Sequence, residues 1–481
     1  MGGGNARFFF VLLAIAAAIG VGNIWLYPYY SYKFGGLFFV SYLFALLLIG
    51  VPLLMLEFSV GQFFNKNVVD LFASTRKWFS SIGWLITANA FIFMSVYAVI
   101  LSWHMIYFFV SFGLQWKEDA KAYFFNNVLQ VSNGFRGFTQ FSLPVFIALI
   151  ATWLIIFFYI RKGFESIKKA FLITFPVFLM LMFLFLAYSL SIDNALNGVY
   201  SFIKPRFSTL LSIDLWFQSF SLAIMSLGLS LGIMHAVARK SKGFILGASS
   251  AVVLFELVIS IAIGFILFGV LGFMSAKINV GLESIVFKDP SSFFTILTQS
   301  LPFFYKPTLF SILFFVFFSL IYIFATASLA YSISHVLVDK FNTKHVNAAI
   351  IVAGFGFLFG LAFIIKPGYY IMDIVSHFAV YNILICILLE TIAIGWFYDT
   401  QKIQDFINQN SLLRIGSIWH FFIKYIAPSV LILVILMHLK ADYLLTYNDY
   451  PVIYLLIFGV GTVAIPLIVA FLMPRRILDR R

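Results

Sequence analysis

Twelve runs of apolar sequence, each long enough to cross a bilayer, leave this chain little alternative to a bundle of membrane helices. They fall at about 8–29, 37–62, 82–112, 141–160, 171–191, 215–238, 246–274, 309–336, 347–365, 371–397, 421–439 and 450–473, numbered below as spans 1 to 12. The chain is 63% hydrophobic and 10% charged over 481 residues, with a mean hydropathy of +1.04. That composition suits lipid as the surrounding solvent. Hydrocarbon accepts only backbone whose polar groups are satisfied internally, so runs of this length read as helices. An all-α membrane protein is expected, a single polytopic domain over 1–481 with membrane lipids as its partners.

The basic residues orient the bundle. With both termini in the cytoplasm, the inside loops and ends hold Arg7, Lys66, Arg76, Lys77, Arg161, Lys162, Lys168, Lys169, Arg239, Lys240, Lys242, Lys340, Lys344, Lys402, Arg414, Lys424, Arg475, Arg476, Arg480 and Arg481. Those are 20 of the 31 Lys and Arg, the bias expected of a multi-pass protein of the cell (inner) membrane. The net charge of +13 then belongs to loops beside anionic headgroups. It is spread over many short loops instead of one stripe, so no nucleic-acid partner is expected. The single cysteine, Cys386, excludes an internal disulfide. The seven histidines show neither HxxxH nor HExxH spacing, and no GxxxxGK[ST] loop is present. With no nucleophile–base pair or metal set, an enzyme is not expected.

Two spans carry interruptions. Span 1 contains Gly20-Val21-Gly22-Asn23 within AAAIGVGNIWLYP, and span 6 contains Ser226-Leu-Gly-Leu-Ser-Leu-Gly232. Glycines at bilayer depth fit packing in a continuous helix, and Arg7 with the run from Phe8 to Ile15 fits a signal peptide. The pair of breaks is more telling. Spans five apart enter from opposite sides, so broken spans 1 and 6 match inverted repeats of spans 1–5 (about 8–191) and 6–10 (about 215–397). The last two helices, 421–473, are then additional. In that arrangement the unwound backbone of both spans meets near the midplane, offering carbonyls to a cation and N–H groups to a carboxylate. A chance pair of glycine-rich spans fits the same pattern.

Further motifs stand in order along the chain. GVGN is followed by Tyr27-Pro28, and Gly35-Gly36 by IGVPLLMLEFSVGQ (49–62). Tyr97 precedes Ser102-Trp103, Glu390 opens ETIAIGWFYD, and Pro428 lies in IKYIAPS. Together they resemble the neurotransmitter:sodium symporter family over nearly the whole chain, departing from its tenth-span motif at Asp399. The resemblance implies twelve helices with a central site between spans 1, 3, 6 and 8, and sodium-driven uptake of an amino acid or amine by alternating access.

It further implies residue roles. Val21 and Gly22 would offer N–H groups to a substrate carboxylate, with the Tyr97 hydroxyl on the same group and at the outer gate. Ala18, Ala223, Ile224 and Ser226 would receive the amine. Phe93, Leu229, Ala325 and Leu329 would line an uncharged side-chain pocket. Gly20 stands where amine transporters of the family carry Asp, so a substrate bringing its own carboxylate is expected: a neutral, hydrophobic amino acid.

The ion sites depart from the family. For the first sodium, Ala18 and Asn23 fit, Ile224 keeps only its carbonyl, and Glu256 replaces an asparagine. At the second, Phe324 and Ala325 replace two hydroxyl residues, leaving the carbonyls of Ala16, Ile19 and Ile321. Sodium is therefore expected at the first site and weakly, if at all, at the second. Tyr42 and Ser260 match the chloride ligands of relatives, but Phe220 and Ile224 do not. With Glu256 nearby, chloride is not expected. Asp373 matches the outer-gate acid, with Leu26 where its arginine would be. Asp339 matches the inner-gate acid, and the N-terminal arginine that would pair with it is absent. The leading expectation is a sodium-coupled symporter. The alternatives are proton coupling through Glu256, or a transport-deficient substrate sensor or channel on the same scaffold.

Overall fold

The computed structural model describes residues 3–20, 22–285, 290–409, 411, 414–444 and 447–478. Among these the chain is helical, and its one β contact is an isolated bridge between Phe141 and Ile365. Among the described residues, ten helices are long and apolar enough to cross a membrane: Phe38–Phe64, Lys77–Val110, Leu143–Ile160, Phe164–Ser191, Ile245–Ile278, Pro307–Phe341, His345–Phe363, Gly368–Phe397, Ser417–Tyr443 and Val452–Met473. They correspond to spans 2–5 and 7–12. Counting each of two sharply bent helix pairs, Arg7–Ala18 with Gly22–Phe34 and Ala195–Leu211 with Ile213–Ser226, as one span brings the number to as many as twelve. The protein is an all-α, multi-pass membrane protein.

Burial sorts the spans into layers. Span 3 is 83% buried over its most apolar stretch and span 12 only 17%, so span 3 runs through the middle and span 12 along the edge. Leucine, isoleucine and phenylalanine side chains such as Leu154, Phe183, Ile350 and Ile465 are exposed. In water such a surface would aggregate, whereas against lipid tails it costs nothing.

Both interruptions are places where the backbone leaves the α-helix. Span 1 runs as Gly3–Ala18, opens at Ile19 and Gly20, and resumes through a wide turn, Gly22–Leu26, into Tyr27–Phe34. Its halves are bent by 66°. Span 6 runs as Ile213–Ser226 and resumes as Ile233–Ala238. Between them Gly228, Ser230 and Gly232 have φ of +64°, +51° and +73°, a left-handed run that no helix contains. The breaks touch. A Cβ added to Gly22 would lie 3.2 Å from Ser226 Cβ, and one on Gly228 would lie 3.4 Å from the Ala17 carbonyl oxygen.

Candidate ion and substrate site

Asn23 organises the span 1 side of the junction. Its amide oxygen accepts from the Gly20 N–H at 2.8 Å, and its NH2 donates to Glu256 Oε1 and Ser260 Oγ, both at 2.8 Å. Tyr42 of span 2 donates to the same Glu256 oxygen at 2.6 Å and shares a 2.8 Å hydrogen bond with Ser226 Oγ. Ser260, one turn along span 7, donates to it at 3.0 Å. Spans 1, 2, 6 and 7 thus converge on one carboxylate that is 1% exposed. All its donors are neutral, and its second oxygen, Oε2, is buried with no hydrogen-bond partner among the described residues. A buried anion with a free oxygen and no basic partner is costly unless a cation joins it. The donor chemistry suits a hard cation such as sodium, which takes oxygen ligands.

Residues expected to hold substrate gather around the same junction. Ala18 closes the first half of span 1, and Ala223 and Ile224 lie in the last turn of Ile213–Ser226, where helix carbonyls lose intrahelical partners. Leu229 lies buried in the break. Phe93 and Tyr97 sit together on span 3 at 6.0 Å between rings, and Tyr97 reaches Tyr322 of span 8 at 6.2 Å. Ala325 and Leu329, one and two turns further along span 8, are buried. Val21 lies outside the described residues.

Gly20 and Gly22 are glycines for different reasons. A Cβ on Gly22 would crowd Ser226 at 3.2 Å, whereas one on Gly20 would meet only the Tyr97 hydroxyl, at 4.0 Å. Packing therefore requires a small residue at Gly22 and leaves room for a Cβ at Gly20.

At the second sodium frame the residues in place of the two expected hydroxyls, Phe324 and Ala325, are both apolar and buried. Phe324 packs its ring against Phe171, Phe175 and Phe178 of span 5, 5.0 to 6.0 Å between centroids. Ala16, Ile19 and Ile321 are fully buried in the hydrophobic core.

Both gate acids have partners that differ from the expectation. Asp373, expected at the outer gate with Tyr97, is held by the loop between spans 11 and 12. Tyr447 donates to its Oδ1, and Asn448 and Tyr450 to its Oδ2, each at 2.9 Å. Burial, and then the Asp373 charge, push both loop phenols above the usual tyrosine range, so they remain donors. His377, one turn on, pairs with Asp442 at 3.0 Å and not with Asp373. At the other face, Asp339 is bound by Arg239 at 2.8 Å, with Asn67 at 3.5 Å and His335 close by. Arg239, just beyond span 6, supplies Asp339 with a cationic partner.

Sequence reasoning also passed over a second buried cluster, Glu57, His235 and Glu390. Glu57 and Glu390 stand in the motifs quoted above. The histidine that joins them, five residues beyond Ser230, was the available signal.

Two interrupted helices meeting at a buried, neutral-donor carboxylate define a membrane transporter of the broken-helix class. The comparisons make this specific. The sequence profile described as the sodium:neurotransmitter symporter family matches residues 4–119 and 113–477, and the chain belongs to that family. It is similar to a sodium-dependent transporter of Methanocaldococcus jannaschii, 30% identical over 479 residues, covering 97% of this chain and 96% of the relative. It also resembles the sodium-dependent nutrient amino acid transporter 1 of Drosophila willistoni, 24% identical over 95% of this chain and 82% of the relative. The sodium- and chloride-dependent GABA transporter ine of Drosophila melanogaster is 27% identical over 83% of this chain and 47% of its own length. The chain is a sodium-dependent transporter of this family, a family of symporters and not of enzymes.

Proposed function

We propose that this protein imports a neutral amino acid with an apolar side chain across the cell membrane, by alternating access about the two breaks, coupled to sodium at the Asn23–Glu256 centre. Both termini lie in the cytoplasm, and the moving parts are the inverted repeats of about 8–191 and 215–397.

The observation that carries the reading is the free, buried Oε2 of Glu256 beside the junction of spans 1 and 6. A sodium ion there gains a full negative charge where relatives of the resemblance use a neutral amide. Tyr42 and Ser260, the matched chloride ligands, are already donating to Glu256 Oε1, so the carboxylate stands in for the anion and chloride is dispensable. Phe324, packed on span 5, supports a single sodium. The absence of a carboxylate at Gly20, where a Cβ would meet only the Tyr97 hydroxyl at 4.0 Å, supports a substrate with its own carboxylate.

Proteoliposome uptake tests this. An inward sodium gradient is expected to drive accumulation of an apolar amino acid equally well in chloride and in gluconate. The decarboxylated amine of the same amino acid should compete poorly. Equal binding of the two would overturn the substrate assignment. Uptake driven by a pH gradient without sodium would favour proton coupling through Glu256, and sodium-dependent binding without any uptake would favour a sensor.

A further inference from the structure

Glu57 of span 2, His235 of span 6 and Glu390 of span 10 are 2, 1 and 1% exposed, and none belongs to the central site. His235 Nε2 lies 2.9 Å from Glu390 Oε1, and Nδ1 lies 3.3 Å from Glu57 Oε2. The two remaining oxygens are held by Ser230. Its backbone N–H donates to Glu57 Oε1 at 2.6 Å, and its hydroxyl donates to Glu390 Oε2 at 3.0 Å. Ser230, held in a left-handed conformation, and His235 therefore clamp carboxylates from two other spans.

Counting protons shows what the clamp requires. A neutral imidazole has one N–H and one lone pair. If Nε2–H donates to Glu390, Nδ1 turns its lone pair toward an oxygen of Glu57. Neither Nδ1 nor Oε2 has a hydrogen-bond partner among the described residues. Two facing lone pairs, one on an anion, repel strongly where water is excluded. One proton between them removes the conflict, whether it resides on nitrogen or on oxygen. A zinc ion is a poorer occupant, because it takes four ligands and the two ring nitrogens point to opposite sides.

We propose that Glu57, His235 and Glu390 form a binding site for a single proton, held between His235 Nδ1 and Glu57 Oε2, that fastens the C-terminal half of span 6 to spans 2 and 10. The site is separate from Glu256. Tyr42 and Glu57 are roughly 20 Å apart along span 2 at the helical rise. Its titratable surroundings are few. Cys386 lies one turn before Glu390 and is buried. Phe72 presents only a ring edge, 6.2 Å between centroids, and Asp70 on the same helix pairs with Lys340. On span 8, His335 faces Arg239, and on span 1, Arg7 is exposed. The proton comes from solvent and returns to it, with no bond other than N–H or O–H made or broken. Its departure leaves Glu57 facing a lone pair and frees the inner half of span 6.

The inference rests on the proposed function only in treating span 6 as a moving element, and its test needs neither substrate nor sodium. Hydrogen exchange of the segment 227–238 is followed by mass spectrometry on the full-length protein in lipid nanodiscs. The range runs from about pH 5.5 to about pH 9.5, spanning the ordinary histidine range, and is corrected for intrinsic chemical exchange. Protection is expected to fall by about tenfold or more as pH rises. Glu57→Gln gives Nδ1 an amide donor that cannot be lost, so protection should stay high at every pH. His235→Gln should lower protection at every pH and flatten its response. Flat protection in the unsubstituted protein overturns the proposal, as does a Glu57→Gln variant with the original pH response. Stoichiometric zinc that raises protection in place of the proton also overturns it. Sodium-dependent substrate binding, measured separately, stands or falls independently of these results.

Discussion

Glu256 and Glu57 are the same residue type, both nearly inaccessible and both beside the break in span 6, yet their charges are met differently. Glu256 receives Asn23, Tyr42 and Ser260 on one oxygen, and its other oxygen has no hydrogen-bond partner among the described residues. Glu57 receives a backbone N–H from Ser230 and faces an imidazole. Neutral donors lower the cost of burying a carboxylate without cancelling its charge, so the first centre still calls for a cation. The second carries a base of its own and needs only a proton. A sodium-coupled machine gains from this difference. On the proposed reading, one centre takes its cation from solution in each cycle, while the other keeps its internal partner and holds a moving helix.

The largest expected effect tests whether the two carboxylates are separable. Glu256→Gln removes the charge but keeps the size, and an interaction with a charged group contributes about 1.5–3 kcal/mol. The sodium concentration for half-maximal substrate binding should therefore rise by roughly 10- to 150-fold. Glu390→Gln, in the second centre, should leave that concentration within about threefold, well under 1 kcal/mol. Equal shifts in both variants would mean that the centres act as one.

Much of the fold was legible because lipid imposes a simple rule. Every span emerged near its apolar run, and both breaks emerged at glycine clusters, since unwound backbone at bilayer depth requires glycine and a polar reason to be there. The convergence of Asn23, Tyr42, Ser226, Glu256 and Ser260 followed from motif positions on four spans. What was not legible depended on side-chain direction across the bundle. Arg239 read as one more loop charge until its guanidinium was seen on Asp339. Nothing in the spacing of Asp373 announced Tyr447, Asn448 and Tyr450 as its partners. His235 has no helical-spacing partner within span 6, because both of its carboxylates come from other spans.

A smaller effect sharpens the comparison through the backbone. Gly228 and Gly232 flank Ser230, and both have positive φ. Alanine at either should cost about 1–2 kcal/mol for the left-handed conformation. Gly232→Ala also brings its Cβ to 2.7 Å from Ser332 Oγ, whereas Gly228→Ala meets the Ala17 carbonyl at 3.4 Å. Gly232→Ala should therefore lower the apparent Tm in detergent by a few degrees more than Gly228→Ala. Gly228→Ala should be the one that alters sodium dependence, because it presses on span 1 beside the central site. The reverse pattern would place the junction's sensitivity on the wrong side of Ser230.

The smallest expected effect separates substrate from ion at the central site. Tyr97→Phe keeps the ring contacts with Phe93 and Tyr322 and removes only the hydroxyl, which lies 4.0 Å from where a Gly20 Cβ would be. One hydrogen bond contributes about 0.5–1.5 kcal/mol, or up to about 3 when the partner is charged. The Kd for the amino acid should accordingly rise by roughly 2- to 10-fold, and further if the carboxylate is the partner. Sodium binding without substrate should be unchanged, because Tyr97 donates nothing to Glu256. The decarboxylated amine provides the control, since it has no carboxylate for the hydroxyl to hold. Its weak binding should be the same with Tyr97 or Phe. If the substitution weakens amine and amino acid alike, the hydroxyl shapes the cavity and does not read the carboxylate. Recognition would then rest on the backbone N–H groups of span 1 alone.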